Sequence, residues 1–563
     1  MIGGRALYFD VFLKTYKSIL MKIKDCKVIV SDDSRLIVNS LALSLKQMGV
    51  KAENIFYAYK PSEVANILKV EEINVIIMDY NFNSYINGHQ LYYELKYSEL
   101  INNTIIFIYV TGENTSRIVK TIVDSNPDDY ILKPFTHPVV KRRLNSAIKR
   151  KTALMPIYNF MDKNDLDAVI DECNNLEPFY PEYSNVIKRI KAETLTKLKK
   201  YEQAKIEYKS MLNVSKLDWI KTSLANVLML NGDYEEAKVT LENVRNKKDN
   251  HLYHDEMSNV KLEEKDIPSA ISHLKTSTML LESSLDRDLI IANLSVAYGS
   301  YDDGFKYIKR YYEQNINTYR ISDEVKLIYV YYFIFKCYNS NTMNNITNAL
   351  ETIKHLINKF SSSKKYSIQY DLIMINVSLL KGEFNQSYKF LKKISSIKNS
   401  LNLSYYDYYF ASFTFDKFSD FKKLKTPIEM GRSAINKVSN PNIMRSLSYM
   451  QDRLEESIAA RSMAIDEKRN KFKSLNKKSD NYTIILDTLS ELKDLQPFSV
   501  NTLMYIVKFI SNNPVNYTGN IDLKGTLQYC HNIISSMSEA DYLYKINYKN
   551  TYYNAKKKID ETM

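Results

Sequence analysis

Five polar residues stand in an order that suits the capture of a phosphoryl group: Asp32, Asp33, Asp79, Thr111 and Lys133. Three carboxylates placed close together repel one another and shift one another's pKa values. A hard divalent cation relieves this repulsion, and Mg²⁺ suits a site that carboxylates share with a phosphate. The lysine ammonium adds a positive charge and the threonine hydroxyl a donor, and phosphoryl transfer depends mainly on such positioning and charge stabilisation.

Short apolar runs of the sequence lead to these residues. CKVIVS precedes Asp32, INVIIM precedes Asp79, IIFIYV precedes Thr111, and YIL precedes Lys133. Segments with helical spacing separate the runs, and strands that alternate with helices predict a parallel sheet with helices on both faces. In such α/β doubly wound sheets, ligands bind beyond the carboxyl ends of the strands. We therefore expect the polar side chains to meet at one edge of the sheet.

The same residues resemble those of response-regulator receiver domains. Asp79 and Thr111 are 32 residues apart, Thr111 and Lys133 are 22 residues apart, and the stretch DDYILKPF resembles the last-strand signature of the family. The resemblance covers residues 21–151 and implies a (βα)5, flavodoxin-like fold for this segment. The alternative is a degenerate pseudo-receiver used only for docking, and the presence of all the key residues disfavours it.

The resemblance implies a magnesium site and a phosphoacceptor. Asp79 is expected to accept the phosphoryl group and to bind Mg²⁺. Asp33 would bind the ion directly, Asp32 mainly through water, and Asn81 through its backbone carbonyl. The loop that follows Asp79 departs from the family, because it lacks the usual Met-Pro and Gly88 comes one residue late.

The resemblance also implies a switch and a phosphate lifetime. Thr111 and Lys133 are expected to act in catalysis, and Thr111 also to act in the switch together with Tyr130, which matches the aromatic residue whose rotamer reports activation. Asn81 and Glu113 resemble the pair found in fast-dephosphorylating chemotaxis receivers. We therefore predict a short-lived phosphate. Since the sequence has no Gly-rich phosphate loop, no GxSxG and no HExxH, we predict no enzyme activity beyond the phosphorylation and dephosphorylation of the acceptor aspartate.

Composition points to more than one folded domain. The chain has 563 residues with a hydrophobic fraction of 45%, and only 12 Gly and 12 Pro argue against long disordered regions. Its four cysteines are far apart, which indicates neither a disulfide framework nor a metal site and fits a reducing cytoplasm. No apolar run approaches the roughly 20 residues that span a bilayer. The net charge of +13 is spread along the chain, so nucleic-acid binding is permitted but not favoured.

Residues 1–20 form an amphipathic N-terminal extension. They carry Asp10, Lys14 and Lys17 and lack the small-residue cleavage site of a signal peptide. Since receivers begin shortly before their first strand, we expect either a natural start at Met21 or a short extra helix, in preference to a membrane-surface helix.

A helical repeat follows the receiver-like segment. Small residues recur at Ala204, Ala237, Ala270 and Gly304, with spacings of 33, 33 and 34 residues, and another small residue stands twelve positions before each. This is the period of tetratricopeptide (TPR) repeats, in which small side chains let two helices cross closely. We predict TPR-like repeats over 152–400, with an early degenerate helix at 165–176, and a helical region without a dependable period over 401–563, where Pro441 begins one long helix.

Asparagines recur at one position of the repeat. They are Asn226, Asn259, Asn293 and Asn376. In TPR proteins this position resembles a groove-facing one, and a ladder of amides could bind the backbone of an extended peptide. The alternative is that Asn is simply common there in TPR sequences.

These features predict a response regulator with a protein-binding output. A sensor histidine kinase or a phosphotransfer protein would phosphorylate Asp79, and the face around the fourth and fifth strands would change how the repeats bind a protein target or pair as a homodimer. The alternative is a transcriptional or RNA-level regulator that binds nucleic acid through the C-terminal helices. No short recognition helix with a basic cluster supports that alternative.

Overall fold

A computed structural model gives the structure of this chain and describes residues 22–82, 84, 86–112, 127–281, 285–318, 320–339, 343–361, 363–394, 403–475, 482–513, 517–535 and 547–562. The predicted N-terminal extension lies outside the described residues. The chain divides into two compact units: the first holds the residues up to Leu285 together with Gln314–Ile321, and the second holds Asp286–Glu313 and Ser322–Met563. The domain boundaries expected at 151 and 400 do not coincide with this division and stay predictions.

A parallel five-stranded sheet lies in the first unit, with the strand order β2-β1-β3-β4-β5. The strands are β1 (Val28–Ser31), β2 (Ile55–Ala58), β3 (Val75–Asp79), β4 (Ile106–Thr111) and β5 (Asp129–Leu132). β1, β3 and β4 are buried over their whole length. Their sequences are continuous apolar runs because a parallel sheet is covered by helices on both faces. The predicted α/β class is confirmed for this segment.

The helices of the segment pack on both faces of the sheet. Those in the described residues of the segment are α1 (Arg35–Gln47), α2 (Pro61–Leu68), α3 (Gly88–Tyr97) and α4 (His137–Ala153). Successive residues of a strand point to opposite faces, so two apolar clusters form. Val28 and Val30 pack with residues of α1 and α4 on one face. Ile29 packs with residues of α2 and α3 on the other.

The remainder of the described chain is helical, as predicted. Its helices are α5 (Met155–Asp162), α6 (Leu166–Leu176), α7 (Ser184–Lys197), α8 (Tyr201–Val214), α9 (Asp218–Asn231), α10 (Tyr234–Glu242), α11 (His251–Glu263), α12 (Ile267–Leu280), α13 (Leu285–Ala297), α14 (Tyr301–Asn315), α15 (Asp323–Tyr338), α16 (Met343–Ser361), α17 (Ser367–Leu380), α18 (Phe384–Lys393), α19 (Tyr405–Lys417), α20 (Phe421–Ile435), α21 (Pro441–Ser474), α22 (Tyr482–Leu495), α23 (Val500–Asn512), α24 (Leu523–Ser535) and α25 (Tyr548–Thr562). The degenerate helix expected at 165–176 is α6, and Pro441 begins the long helix α21.

The small residues of the repeat lie where the two helices of each pair meet. Ala204 on α8, Ala225 on α9 and Ala237 on α10 are fully buried in one apolar cluster, and Ser258 and Ala270 are buried in the next pair. A larger side chain at these positions would push the helices apart, because close crossing requires little side-chain volume at the contact. The predicted 33- to 34-residue period therefore corresponds to real helix pairs.

A left-handed turn recurs between the two helices of the pairs. The turn residue stands two positions before the second helix, and the N–H of the next residue donates to the carbonyl five positions back, as from Asp233 to Leu228 at 2.9 Å. This is the Schellman arrangement that ends helices. The turn residues are Asn164, Lys199, Gly232, Lys265, Gly299, Gly382 and Ser419. The same turn therefore joins α5 to α6 and α19 to α20, so one more pair follows the predicted repeats.

Lys265→Gly should stabilise the protein. Lys265 has a φ of 59° and is exposed. A side chain costs about 1–2 kcal/mol in this conformation, and the greater freedom of glycine in the unfolded chain offsets part of the gain. We expect the free energy of unfolding, measured by urea denaturation, to rise by about 0.5–1 kcal/mol.

Gly232→Ala is the matched control for this turn. A Cβ at Gly232 would meet nothing within 4 Å, so only its φ of 88° opposes the change. We expect a loss of about 1 kcal/mol in the free energy of unfolding. A loss of stability on Lys265→Gly would contradict the account of the turn.

Candidate phosphoacceptor site

The polar residues predicted to meet do meet at one edge of the sheet. Asp32 follows β1, Asp79 ends β3, Thr111 ends β4 and Lys133 follows β5. The strand register brings these ends level. The N–H of Lys133 donates to the carbonyl of Thr111 at 2.7 Å, which extends the pairing of β4 and β5 to the site, and the Lys133–Pro134 peptide is cis.

Three carboxylates converge beside one ammonium. One oxygen each of Asp32, Asp33 and Asp79 lies within 4.8 Å of the others. Asp32 and Asp79 are buried, whereas Asp33 is exposed. Nζ of Lys133 lies 2.6 Å from Oδ2 of Asp32 and 3.1 Å from Oδ1 of Asp79. The cluster therefore has a buried side, where the lysine stands, and a side open to solvent at Asp33.

The acceptor candidate has a strongly shifted acidity. Burial, and then the charge of Asp32, raise the pKa of Asp79 to about 6, although Lys133 and a hydrogen bond from the N–H of Asn81 oppose the rise. Burial disfavours the charge of Lys133, but its hydrogen bonds and ion pairs with the two buried aspartates outweigh that effect and raise its pKa. Asp79 therefore binds a proton more readily than an ordinary aspartate. A metal cation that binds in place of the proton would also neutralise its charge, so cation binding at this carboxylate is favoured.

The donor set fits Mg²⁺. The ion takes carboxylate oxygens and keeps several waters, so a cluster with one exposed member suits it. Asp32, Asp33 and Asp79 would hold the ion. Among the residues that the structure describes, they are the group of three His, Cys, Asp or Glu side chains close enough to share an ion.

Affinity for Mg²⁺ should fall as the pH falls. A pKa of about 6 for Asp79 means that a proton competes with the ion between pH 7.5 and 5.5. The ionised fraction falls roughly fourfold across this interval, and we expect the affinity to fall by about the same factor. Isothermal titration calorimetry at the two pH values measures it. Asp79→Asn should bind Mg²⁺ more weakly and with less pH dependence, and an equal pH dependence in the variant would contradict the assignment.

Gly88 lets α3 begin directly against the acceptor strand. A Cβ at this position would lie 2.2 Å from the carbonyl oxygen of Asp79. The N–H of Gly88 donates to the carbonyl of Tyr80 at 2.7 Å, and Asn87 and Gln90 cap the helix reciprocally. Although the loop is one residue longer, a glycine therefore still stands where the start of α3 contacts the backbone of Asp79.

The remaining predicted site residues are placed as follows. Asn81 is exposed next to the site, and its role as a carbonyl ligand stays a prediction. Tyr130 is half-buried on β5, and the guanidinium of Arg143 lies 5.6 Å from its ring centre. Thr111 is fully buried. Glu113, the second member of the pair expected to shorten the phosphate lifetime, lies outside the described residues.

A buried lysine joins the receiver-like segment to the first helices that follow it. Nζ of Lys151 on α4 lies 2.9 Å from Oδ1 of Asp128, 2.8 Å from the carbonyl oxygen of Asn103, and 4.3 Å from the ring centre of Tyr158 on α5. Asn103 in turn donates through its backbone and side-chain amides to Asp162 at 2.8 and 2.6 Å. No spacing pattern in the sequence links these residues, so this contact could not be predicted.

The recurrent asparagines are hydrogen-bonded inside the protein. Asn226 and Asn259 both donate to Glu256, at 2.9 and 3.1 Å. Asn293 and Asn376 are fully buried, and each bonds to a tyrosine hydroxyl and to a serine or threonine hydroxyl. Contact with a peptide would require an exchange of these bonds, and the groove role of the four residues stays a prediction.

None of the helices in the described part of the chain combines the length and the apolar composition needed to cross a membrane.

Comparison with known proteins locates one family in the chain. Residues 28–145 match the family described as Response regulator receiver domain. The receiver domain of RcsB from Salmonella enterica serovar Typhimurium, solved with the phosphomimetic BeF3-, is 18% identical with a TM-score of 0.19, and the match covers 22% of this chain and 97% of that one.

Two TPR structures are also similar to part of this chain. A tetratricopeptide repeat protein from Parabacteroides merdae is 11% identical with a TM-score of 0.28, and the match covers 53% of this chain and 97% of that one. The TPR domain of P58(IPK) is 11% identical with a TM-score of 0.18, with 57% and 94% covered. The helical region is TPR-like in its 33- to 34-residue period and in its recurrent left-handed turn. With the family match and the site geometry together, residues 28–145 are a response regulator receiver domain.

Proposed function

We propose that this chain is the response regulator of a phosphorelay. Asp79 accepts a phosphoryl group from a sensor histidine kinase or a phosphotransfer protein, and the helical repeats bind a protein partner in one phosphorylation state. The observation that carries the proposal is the convergence of Asp32, Asp33 and Asp79 within 4.8 Å, beside the ammonium of Lys133 at the carboxyl edge of the sheet.

The geometry supports transfer to Asp79. An ionised Oδ of Asp79 attacks the phosphorus, the bond from phosphorus to the donor breaks, and the donor leaves with the electron pair. Lys133, which already pairs with Asp79, would pair with an oxygen of the transferred group. Bound Mg²⁺ supplies positive charge that offsets the repulsion between the carboxylates and the incoming group. Attack of water on the phosphorus later breaks its bond to the Asp79 oxygen, which releases inorganic phosphate and restores the carboxylate.

The contacts of Lys151 support transmission of the signal into the helices. α4 ends at Ala153 and α5 begins at Met155, so a single residue separates them. Lys151 and Asn103 hold α5 against the segments that precede β4 and β5. A change in β4 or β5 on phosphorylation therefore reaches the first helix pair through packed contacts rather than through a loose linker.

Phosphorylation is tested with a small phosphodonor such as acetyl phosphate. The full chain with Mg²⁺ should gain the mass of one phosphoryl group, and addition of EDTA should prevent the gain. A full chain that gains no phosphoryl group from acetyl phosphate or from phosphoramidate would argue for a receiver used only for docking.

The output is tested by capture in two states. One bait is the full chain with Mg²⁺ and beryllofluoride, and the other is Asp79→Asn, each with and without nuclease. A protein retained by one bait only, and insensitive to nuclease, supports a phosphorylation-dependent protein partner. Nuclease-sensitive recovery with a steep salt dependence would favour the nucleic-acid alternative.

A further inference from the structure

The first helices of several pairs in the second unit present a face with hydroxyl, amide and carboxylate groups. Its members are Asn293 on α13, Tyr332 on α15, and Tyr405 and Asp416 on α19; we call them the first-helix face. Oδ1 of Asn293 accepts from the hydroxyl of Tyr332 at 2.6 Å, so the amide of Asn293 is fixed in orientation.

The long helix α21 lies on this face. The amide of Asn293 donates to the hydroxyl of Ser446 at 3.0 Å, and the hydroxyl of Tyr405 donates to the backbone carbonyl of Leu447 at 3.1 Å. The hydroxyl of Tyr332 lies 3.9 Å from the sulfur of Met450. Further along the chain, the guanidinium of Arg461 pairs with Asp416 at 2.6 Å.

The buried and exposed residues of α21 separate onto two sides. Ser446, Leu447, Met450 and Gln451 are at most 1% exposed. Their spacing of one, four and five residues places them on one stripe of a helix. The residues 452, 453, 456 and 457 are charged or polar and exposed. α21 is therefore an amphipathic helix held in a face by side-chain contacts, which is a common mode of recognition between separate chains.

The contacts between α21 and the face are partly polar, unlike a dry core. Removal of α21 would leave the amide of Asn293 and the hydroxyl of Tyr405 without these acceptors, and another helix with a hydroxyl and apolar side chains at the same spacing would satisfy them. In the first unit, the amides at the equivalent repeat position, Asn226 and Asn259, bond to Glu256 instead. Asn376 in the second unit is likewise bonded to Tyr338 and Thr414, so among the four asparagines the donor that α21 satisfies is that of Asn293.

We infer that the first-helix face is a binding site for an amphipathic helix, filled in this structure by α21 of the same chain. The competing partner is an amphipathic helix with the spacing of α21. It has a small hydroxyl residue, apolar residues one and four positions later, and an arginine fifteen positions later, as in Ser446, Leu447, Met450 and Arg461. The inference deepens the proposed function by naming the class of partner. Its test uses no phosphorylation, so either can fail without the other.

A labelled peptide of residues 441–465 tests the inference against the full chain. Met450→Asp should loosen α21, because it places a charge at a fully buried position. We expect this variant to bind the peptide at least about tenfold more tightly than the unchanged chain, since the peptide no longer competes with a seated α21. Met463→Asp is the matched control, because Met463 lies on the same helix and is 71% exposed, and it should bind like the unchanged chain.

A second peptide, with Leu447 and Met450 both replaced by Asp, should not bind the loosened variant. Equal binding of both peptides, or no binding by a Met450→Asp chain that keeps its helical circular dichroism and its thermal unfolding transition, would overturn the inference.

If Met450→Asp does not fold, hydrogen exchange on the unchanged chain tests whether α21 opens separately from the rest of the unit. A helix seated in a binding site opens without the rest of the unit. The amides of residues 446–461 should exchange at least about tenfold faster than those of α15. Exchange of both segments at one common rate would show that α21 is a permanent part of the fold and would reject the binding site.

Discussion

Asp79→Asn should abolish the incorporation of a phosphoryl group from acetyl phosphate. The amide is a far poorer nucleophile than the carboxylate, and no acyl phosphate forms. The same change should make the protein more stable at pH 7.5. The pKa of Asp79 lies above its ordinary 3.8, at about 6, so its contribution to stability is present below pH 3.8 and is lost as the pH rises through 6. Removal of the charge should raise the free energy of unfolding by roughly 1–3 kcal/mol.

The pair of readouts separates lost chemistry from lost folding. Intact mass measures the incorporation, and thermal unfolding measures the stability. Glu53→Gln is a suitable control, because the side chain of Glu53 is 74% exposed and should affect neither. Incorporation that persists in Asp79→Asn would assign the acceptor to a different residue, and a lower unfolding temperature would contradict the cause given for the shifted pKa.

Lys151→Met should lower the free energy of unfolding by about 3 kcal/mol, because it leaves Asp128 buried without its nearest cation. The side chains of Lys151 and Asp128 are only 6% and 9% exposed, and burial lowers the pKa of the lysine. Arg150 is near Asp128, at 3.7 Å, and should prevent a larger loss. Urea denaturation of the full chain measures the change.

Lys149→Met provides the comparison for this effect. Lys149 is an exposed lysine of the same helix, and its loss should change the free energy of unfolding by less than about 0.5 kcal/mol. Addition of Asp128→Asn to Lys151→Met should recover part of the loss, since no buried charge then remains unpaired. Equal effects of the two lysine variants would show that Lys151 does not anchor the helices.

The receiver domain could be predicted because its functional residues stand at the ends of strands. The ends of the buried strands are visible as apolar runs, and Asp79, Thr111 and Lys133 follow directly from them. β2 gives a weaker signal, because only two of its four residues are buried. The shifted pKa of Asp79 depends on its burial and on the distance to Asp32, and neither can be read from spacing.

The repeats could be predicted only where the small residue is kept. Leu424 stands three residues into α20, where Ala204 stands in α8, so the sequence period disappears although the turn at Ser419 remains. The backbone therefore continues a repeat that the side chains no longer mark. The contacts of Lys151 could not be predicted, because they join residues 48 positions apart through a side chain and a single carbonyl.

The recurring left-handed turn makes the helix pairs interchangeable at their joints. At the seven described turns, the second helix begins two residues after a residue of the same left-handed geometry, whether that residue is glycine, lysine, asparagine or serine. A duplicated segment of one period therefore meets the same junction at both ends and needs no new connection. The length of the array can change by whole pairs during evolution, or by design, while the receiver domain and its phosphoacceptor stay as they are.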